Sequence, residues 1–472
     1  MAQPPTQIKI FDFRPCRTLL LILTTILLIE PLPSSGQSED GKFLILDERL
    51  IEHTENAKLR VGTVLKHGAN PLFVEDRLWE KRFDNLYGNI LFDRDSMMYR
   101  LWYSPFIVDH SAKGFTMTQR LEAYEPPYNR EMAICYATSL DGIRWTKPDL
   151  GLVIFEGNAD NNIVWRGPHG AGIYYDAYES NPEHRFKTMF QGLSTSTSAD
   201  GLKWSLPKKC TTVTVAGDTH NNTFWAPTEQ KYIGITRTWG NKGRQVARTE
   251  SKDFVHWTRE EVILEGTSLR DQPYAMPVFY YEGLYLGLLA IYNRESDRTW
   301  TELAWSPDTR DWRRISPGIP LIPNSEVPLS YDYGCVYACA VPVILEDEVR
   351  LYYGGSDWLH FGWRNGSLCL ATLRPDGFAG YETELDGKKA VVLTRPINYN
   401  GEVIRITADV HSNGSVIVSV LDQTGDRIQT AAPVNTSATN TPLIFEERIK
   451  PGSIKLQFVL DQAKIYSFQF GD

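Results

Sequence analysis

The chain has 472 residues and a formal charge of −9, with no basic stripe that could neutralise phosphates, so nucleic acid is excluded as its partner. It carries 13 Trp, 23 Tyr and 20 Phe, and no window keeps an i, i+3, i+4, i+7 apolar spacing, so helix bundles and coiled coils are excluded and sheets are expected. The length suits two domains, one of them large.

The chain opens with Lys9, Arg14 and Arg17, then the apolar run Leu19 to Ile29, then Pro31-Leu32-Pro33-Ser34-Ser35-Gly36. This is the order of a secretory signal over residues 1–36, cleaved near Gly36, and it implies a secreted or periplasmic protein with no membrane span in its mature chain. The alternative, an uncleaved anchor, is disfavoured because a span needs ~20 apolar residues. Beyond Cys16 the cysteines are Cys135, Cys210, Cys335, Cys339 and Cys369, an odd number that does not suggest a disulfide framework. Cys335 and Cys339 have no second pair at zinc-ligand spacing, so no metal site is expected there. Asn221, Asn365, Asn413 and Asn435 head N-x-S/T sequons.

Residues 43–75 hold the strand-like Phe43-Leu44-Ile45-Leu46 and a lead-in expected to close a ring of repeats by joining the last one. The repeats follow. The clearest copy is Tyr136-Ala137-Thr138-Ser139-Leu140-Asp141-Gly142-Ile143-Arg144-Trp145, a strand that runs into an Asp-Gly turn and is closed by an aromatic ring. The closing rings Trp145, Trp204, Trp257, Trp312 and Phe378 are 59, 53, 55 and 66 residues apart, a period set by one repeated supersecondary unit. Runs such as Met98–Tyr103, Tyr232–Thr236 and Leu284–Leu288 supply about four strands per unit. Radial repetition of such units avoids long exposed sheet edges, so residues 43–388 are predicted to form a five-bladed β-propeller. A long insertion between Phe106 and Arg130 is expected over one rim. From residue 389 the texture becomes cleanly alternating, as in Ser415–Leu421 and Ser453–Leu460, which predicts a C-terminal β-sandwich over 389–472.

Aligned by distance to the next strand, three units carry Asp just ahead of their first strand: Asp84, Asp218 and Asp271 precede Tyr99, Tyr232 and Tyr285 by 15, 14 and 14 residues. Asp332 precedes the fifth unit, and His169 stands nearest the equivalent point of the second. First strands of a propeller converge on one end of its axis, and carboxylates gathered there supply the acid and base, or acid and nucleophile, that glycosidic cleavage needs. A strand-start Asp can equally cap its own turn. Asp141, Asp200 and Asp376 are read as turn formers, and the closing tryptophans as unit core. Trp225 and Trp358 are the preferred sugar-stacking rings, with His169, His220 and Asp332 as further substrate contacts. No cofactor is required; an axial structural calcium ion is left open. No P-loop, GxSxG elbow or GxGxxG after a strand is present.

The five-unit layout, the Asp-Gly-x-x-Trp turns, Gly217-Asp218-Thr219-His220-Asn221-Asn222, Tyr352-Tyr353-Gly354-Gly355 and the alternating tail together resemble the five-bladed propeller glycoside hydrolases of families 32, 43, 62, 68 and 117. Chains with a family 32 N-terminal-like domain are the most similar, over essentially the whole mature chain. The resemblance implies Asp84 as nucleophile or base, Asp218 as transition-state stabiliser, Asp271 as acid and Asp332 as a further pocket carboxylate. The third position is usually Glu in that group, and the Asn-Asp-Pro, Arg-Asp-Pro and Glu-Cys motifs of fructan hydrolases are missing. A glycosidase with an unnamed carbohydrate substrate is therefore expected, against a non-catalytic carbohydrate-binding propeller or a sialidase, whose arginine triad would draw on Arg237, Arg294 and Arg364.

Overall fold

The computed structural model describes residues 41–83, 85–385 and 387–471. The predicted signal segment and Asp84 lie outside them. Among the described residues no helix is long and apolar enough to cross a membrane. The fold is all-β, with a single α-helix, Met117–Arg120, among the described residues.

Five antiparallel units follow one another in the chain. The first pairs Asn89–Asp93 with Met98–Tyr103 and Glu131–Ser139, and Thr146 bridges its outer edge. The second runs Gly172–Tyr175, Phe186–Phe190, Ser194–Ser198 and Lys208–Lys209, and the third Asn222–Ala226, Lys231–Gly240, Gly243–Ser251 and Glu261–Glu265. The fourth runs Val278–Tyr281, Leu284–Asn293, Arg298–Ser306 and Arg313–Arg314. The fifth takes Val343–Ile344, Val349–Ser356 and Gly366–Leu373 and is completed by Leu65–Lys66 and Phe73–Val74 from the start of the chain. The lead-in thus joins the last unit through residues 65–74, whereas Lys42–Leu44 pairs with Gly452–Phe470 in another sheet.

The repeated turn has one physical basis. In the first copy Ser139 Oγ accepts from Gly142 N at 2.8 Å, and Asp141 Oδ1 accepts from Ile143 N and Arg144 N at 2.8 and 2.7 Å. Asp200, Asp253 and Asp308 hold the next two backbone N–H groups of their own turns in the same way, each beside its Ser198, Ser251 or Ser306. A carboxylate that captures two N–H groups ends the strand and aims the closing ring inward. Each ring then packs in a different apolar cluster: Trp145 beside Tyr352, Trp204 beside Trp165, Trp257 beside Phe254, Trp312 in the cluster of Met276 and Tyr285, and Phe378 beside Phe279. Asp376 lies in its predicted turn, with φ of 61°, but its carboxylate does not cap that turn. It is buried and accepts from Tyr281 Oη and Ser467 Oγ at 2.6 Å each and from Lys42 Nζ at 3.3 Å.

First strands of successive units are joined side by side. Asn89 Nδ2 donates to Ala171 O at 2.9 Å and its Oδ1 accepts from Ile173 N at 2.9 Å. Asn221 N donates to Gly170 O at 2.9 Å, Val278 N to Asn222 Oδ1 at 3.0 Å, and Ala340 N to Gly88 O at 2.8 Å, returning to the first unit. The fourth and fifth units meet where Thr299 pairs with Cys335. Backbones approach so closely here that a Cβ on Gly172 would stand 1.8 Å from Asn221 O, and one on Gly88 2.4 Å from Cys339 Sγ. Asn221 is buried, with its amide held by three carbonyls, which removes one of the four sequons as a glycan acceptor in the folded chain. All five described cysteines are buried thiols.

The tail forms a ten-stranded sheet around Ile404–Leu421 and Gly452–Phe470, with its own apolar core. Its alternation is visible in Val416, Val418 and Val420, all fully buried while the intervening Ile417 is not. Ile51–Glu55 and Ala57–Val61 also belong to this sheet, so it draws on the start of the chain as well as its end.

Candidate active site

One circuit of side-chain contacts visits all five units. It begins at Asn85-Leu86-Tyr87, which have φ of 62°, 61° and 42°. Three successive non-glycine residues in the left-handed region cost roughly 1–2 kcal/mol each and persist only where their surroundings hold them. Here Asn85 Nδ2 donates to Tyr87 Oη at 3.0 Å, Tyr87 N to Asn85 O at 2.7 Å, and Ser104 N to Leu86 O at 2.7 Å.

The buried Tyr87 ring lies 5.8 Å from the His169 ring and 5.3 Å from that of His220. His169 Nδ1 is 2.6 Å from Gln191 Oε1 and 3.7 Å from Asp218 Oδ1. Asp218 Oδ2 accepts from Arg237 Nη2 at 2.8 Å. The Arg237 guanidinium lies 4.7 Å from the Tyr274 ring, which is 5.4 Å from Tyr337 and 5.0 Å from His360. Tyr337 Oη meets His360 Nδ1 at 3.0 Å. Two residues before Tyr337, Cys335 Sγ accepts from Arg364 Nη1 at 3.1 Å, and Arg364 Nη2 donates to Asn85 Oδ1 at 3.0 Å, closing the circuit. Arg237, Tyr274, Tyr337 and Arg364 are buried, whereas the Asp218 side chain is 49% exposed. Asp218 is therefore the member through which solvent or a ligand reaches the circuit.

Of the predicted residues, the structure brings together Asp218, His169 and, through Tyr87, His220. Asp271 stands apart from them: its Oδ1 accepts from Asn293 Nδ2 at 2.7 Å and its Oδ2 from Arg270 Nη2 at 2.9 Å. The reason is a turn length. Trp225 pairs with Tyr232 across the third-unit hairpin and Phe92 with Tyr99 across the first, but Tyr280 pairs with Tyr285 across the fourth, two residues tighter. Equal spacing to the second strand therefore puts Asp271 two residues further back than Asp218, and Tyr274 occupies the circuit instead.

Asp332 is likewise outside the circuit, fully buried and held by Lys66 Nζ at 2.6 Å and Tyr353 Oη at 2.9 Å. Trp225 packs against Tyr232 in an apolar cluster with Phe254 and Trp257. Trp358 is buried against Tyr333, with its Nε1 donating to Arg120 O at 3.1 Å. Packing accounts for the buried Trp358, whereas Trp225 is half-buried. The 106–130 insertion docks on the same loop: Arg120 donates to both Asp357 oxygens at 2.9 Å, and Trp363 contacts Phe115 and Tyr124 at ring distances of 5.0 Å.

His220 is fully enclosed, and burial pushes its imidazole down to about 3. Asn89 Nδ2 donates to two carbonyls, Tyr87 O at 3.0 Å and Ala171 O at 2.9 Å, which fixes the amide orientation and leaves Oδ1 to face His220 Nε2 at 3.1 Å. Nε2 must therefore carry the proton, and the ring is a neutral donor. Asn89 Oδ1 is shared between Ile173 N at 2.9 Å and His220 Nε2 at 3.1 Å. Among the described residues no three His, Cys, Asp or Glu side chains converge as a metal set.

Arg237 was singled out in the sequence only as a member of a possible arginine triad with Arg294 and Arg364, and Arg244, Tyr274 and Tyr337 gave no motif. The signal for the two arginines is the hairpin Lys231–Gly240/Gly243–Ser251, long enough to carry Arg237 and Arg244 beyond the pairing of the neighbouring strands.

No family model matches the chain, and no curated protein matches it in sequence. Solved structures do. A β-1,2-mannobiose phosphorylase from Listeria innocua, solved with β-1,2-mannobiose, is similar at a TM-score of 0.46 and 14% identity over 66% of this chain and 96% of that one. The catalytic domain of a GH62 α-L-arabinofuranosidase from Coprinopsis cinerea gives 0.44 and 11% over 66% and 97%. A GH43 arabinoxylan arabinofuranohydrolase from Bacillus subtilis gives 0.41 and 10% over 86% and 97%. Families 62 and 43 belong to the group that the sequence resembles. At these scores none of the three assigns an activity, a substrate or a residue role to this chain.

Proposed function

We propose that the chain is an exported glycoside hydrolase whose five units close as a β-propeller, followed by a β-sandwich, and that the circuit surrounds its reacting centre. The observation that carries this reading is the left-handed run Asn85-Leu86-Tyr87, held by Arg364 beside His169 and Asp218. Backbone held in a sparsely populated conformation clusters at functional sites, and this run immediately follows Asp84, the predicted nucleophile or base. Asp218, half exposed and oriented by Arg237, suits the stabilisation of an oxocarbenium-like transition state. Asp271 is the proposed acid on the resemblance alone, by its order in the chain after Asp218.

Asp218→Asn and Asp84→Asn should each lower turnover about 100-fold or more on whichever glycan the wild type cleaves. The assay is a screen of the secreted protein on oligosaccharides and aryl glycosides. Turnover that survives Asp84→Asn would sink the mechanism.

A second reading, a carbohydrate-binding propeller without catalysis, is favoured by one feature: the two described carboxylates of the predicted trio both lie on arginines, at 2.8 Å for Asp218 and 2.9 Å for Asp271. That arrangement suits a stabilising or nucleophilic carboxylate better than a proton donor. Glycan binding with no product released, unchanged in the Asp84→Asn/Asp271→Asn double variant, would select it.

A further inference from the structure

Beside the circuit lies a cavity of about 430 Å³ lined by Trp239, Arg244, Gln272, Tyr292, Arg294 and Phe361, among others. It combines ring faces with positive charge. Trp239 and Phe361 are 62% and 59% exposed, unusual for large rings in a chain whose other tryptophans mostly pack in its cores. Trp239 stands directly across the hairpin from Arg244, whose guanidinium lies 4.8 Å from the Trp239 ring and 5.0 Å from that of Tyr292.

The charge balance is one-sided. Arg244 Nη1 donates to the neutral Gln272 Oε1 at 2.8 Å, and its Nε is buried with no hydrogen-bond partner among the described residues. The nearby carboxylates are engaged elsewhere: Asp218 by Arg237 at 2.8 Å, Asp271 by Arg270 at 2.9 Å, and Asp297 by Tyr292 Oη at 3.0 Å and Phe361 N at 2.9 Å. Burial draws the Arg244 pKa below its ordinary value, as expected of a guanidinium removed from water without a counter-charge. Arg294, exposed on the same wall, adds a second cation. A desolvated guanidinium with unused donors is suited to a planar or tetrahedral anion, which it can bind through paired N–H groups.

We infer that this cavity is a subsite for an anionic sugar, a ring that stacks on Trp239 and presents a carboxylate or sulfate ester to Arg244 and Arg294. Neutral sugars would satisfy the aromatic wall alone and leave Arg244 uncompensated. The inference rests on the reading of the chain as a carbohydrate-acting protein and adds the charge class of its ligand.

The test is calorimetric titration of the full chain with two matched pairs: a galacturonate oligosaccharide against its methyl ester, and a sulfated galactan oligosaccharide against its desulfated form. The anionic member of at least one pair should bind about tenfold or more tightly than its neutral partner, and lose that advantage as salt is raised. The pair that shows the difference identifies carboxylate or sulfate as the group recognised. Arg244→Gln should abolish the preference. Arg294→Gln, at an exposed position that leaves the fold untouched, should reduce it. Equal binding of charged and neutral members would overturn the anionic subsite and leave the carbohydrate reading standing, whereas no binding of any of the four would remove both.

Discussion

The buried imidazole of His220 makes a prediction about stability that can be worked from the structure. Its ring is 1% exposed, and its Nε2–H is committed to Asn89 Oδ1 at 3.1 Å, which ties the first, second and third units together. Protonation would add a charge at a site closed to water. In the unfolded chain the imidazole titrates near 6.5, in the fold near 3. The unfolded state therefore binds the proton first as pH falls. The stability conferred by the neutral ring is present above 6.5 and is lost as pH drops through the window from 6.5 towards 3.

Each unit of pH inside that window removes about 1.4 kcal/mol, so about 2.7 kcal/mol is lost from this group between pH 8 and pH 4.5. Other carboxylates and histidines titrate over the same range, so the measurement is a difference. Urea unfolding followed by tryptophan fluorescence at pH 8, 6 and 4.5 is compared for wild type and His220→Gln, which keeps an N–H donor for Asn89 but cannot be protonated. The variant starts lower because its packing is altered, and this offset is constant with pH. The wild type should then lose about 2.7 kcal/mol more than the variant across the range. Parallel pH profiles would refute the reasoning, because they would mean that water or a rearranged partner reaches Nδ1 in the fold.

Asp376→Ala removes the buried carboxylate shared by Lys42, Tyr281 and Ser467, and should cost about 3–5 kcal/mol and raise hydrogen exchange in Lys42–Leu44 and its partner strand first; a variant as stable as wild type would contradict its role at this junction. Asp200→Ala frees two backbone N–H groups in an exposed turn, so a smaller loss of about 1–2 kcal/mol in the unfolding free energy from urea titration is expected, and no loss would mean that Ser198 alone holds the turn.

The architecture was legible because it is written in local chemistry. A serine and an aspartate two residues apart, followed by an aromatic ring, form the same hydrogen-bonded turn wherever they occur, so four of the five unit ends could be read without knowing any long-range contact. Asp376 shows the limit of that reasoning. Pro375-Asp376-Gly377 has the letters of a turn, yet its carboxylate is taken by Tyr281 and Ser467, partners 95 and 91 residues away that no local pattern announces.

The site was legible only where its residues sit at constant distance from a strand pair. Asp218 falls into that class and belongs to the circuit; His169, which also belongs to it, was read only as the residue nearest the equivalent point of the second unit. Asp271 falls outside the circuit because the spacing to a second strand contains the hairpin turn, and the fourth hairpin is shorter than the third by two residues, a difference that only the cross-strand pairs Trp225 with Tyr232 and Tyr280 with Tyr285 reveal. The arginines were hidden for a different reason. In sequence Arg237 and Arg244 look like the solvated face of an alternating hairpin, the ordinary place for a cation. What distinguishes Arg244 is that the carboxylates around it are already engaged, Asp218 by Arg237 itself, and an uncompensated charge is a property of the whole neighbourhood. The same excess makes the cavity beside Trp239 selective, because a ligand that brings its own negative charge offsets a desolvation that the fold leaves unpaired.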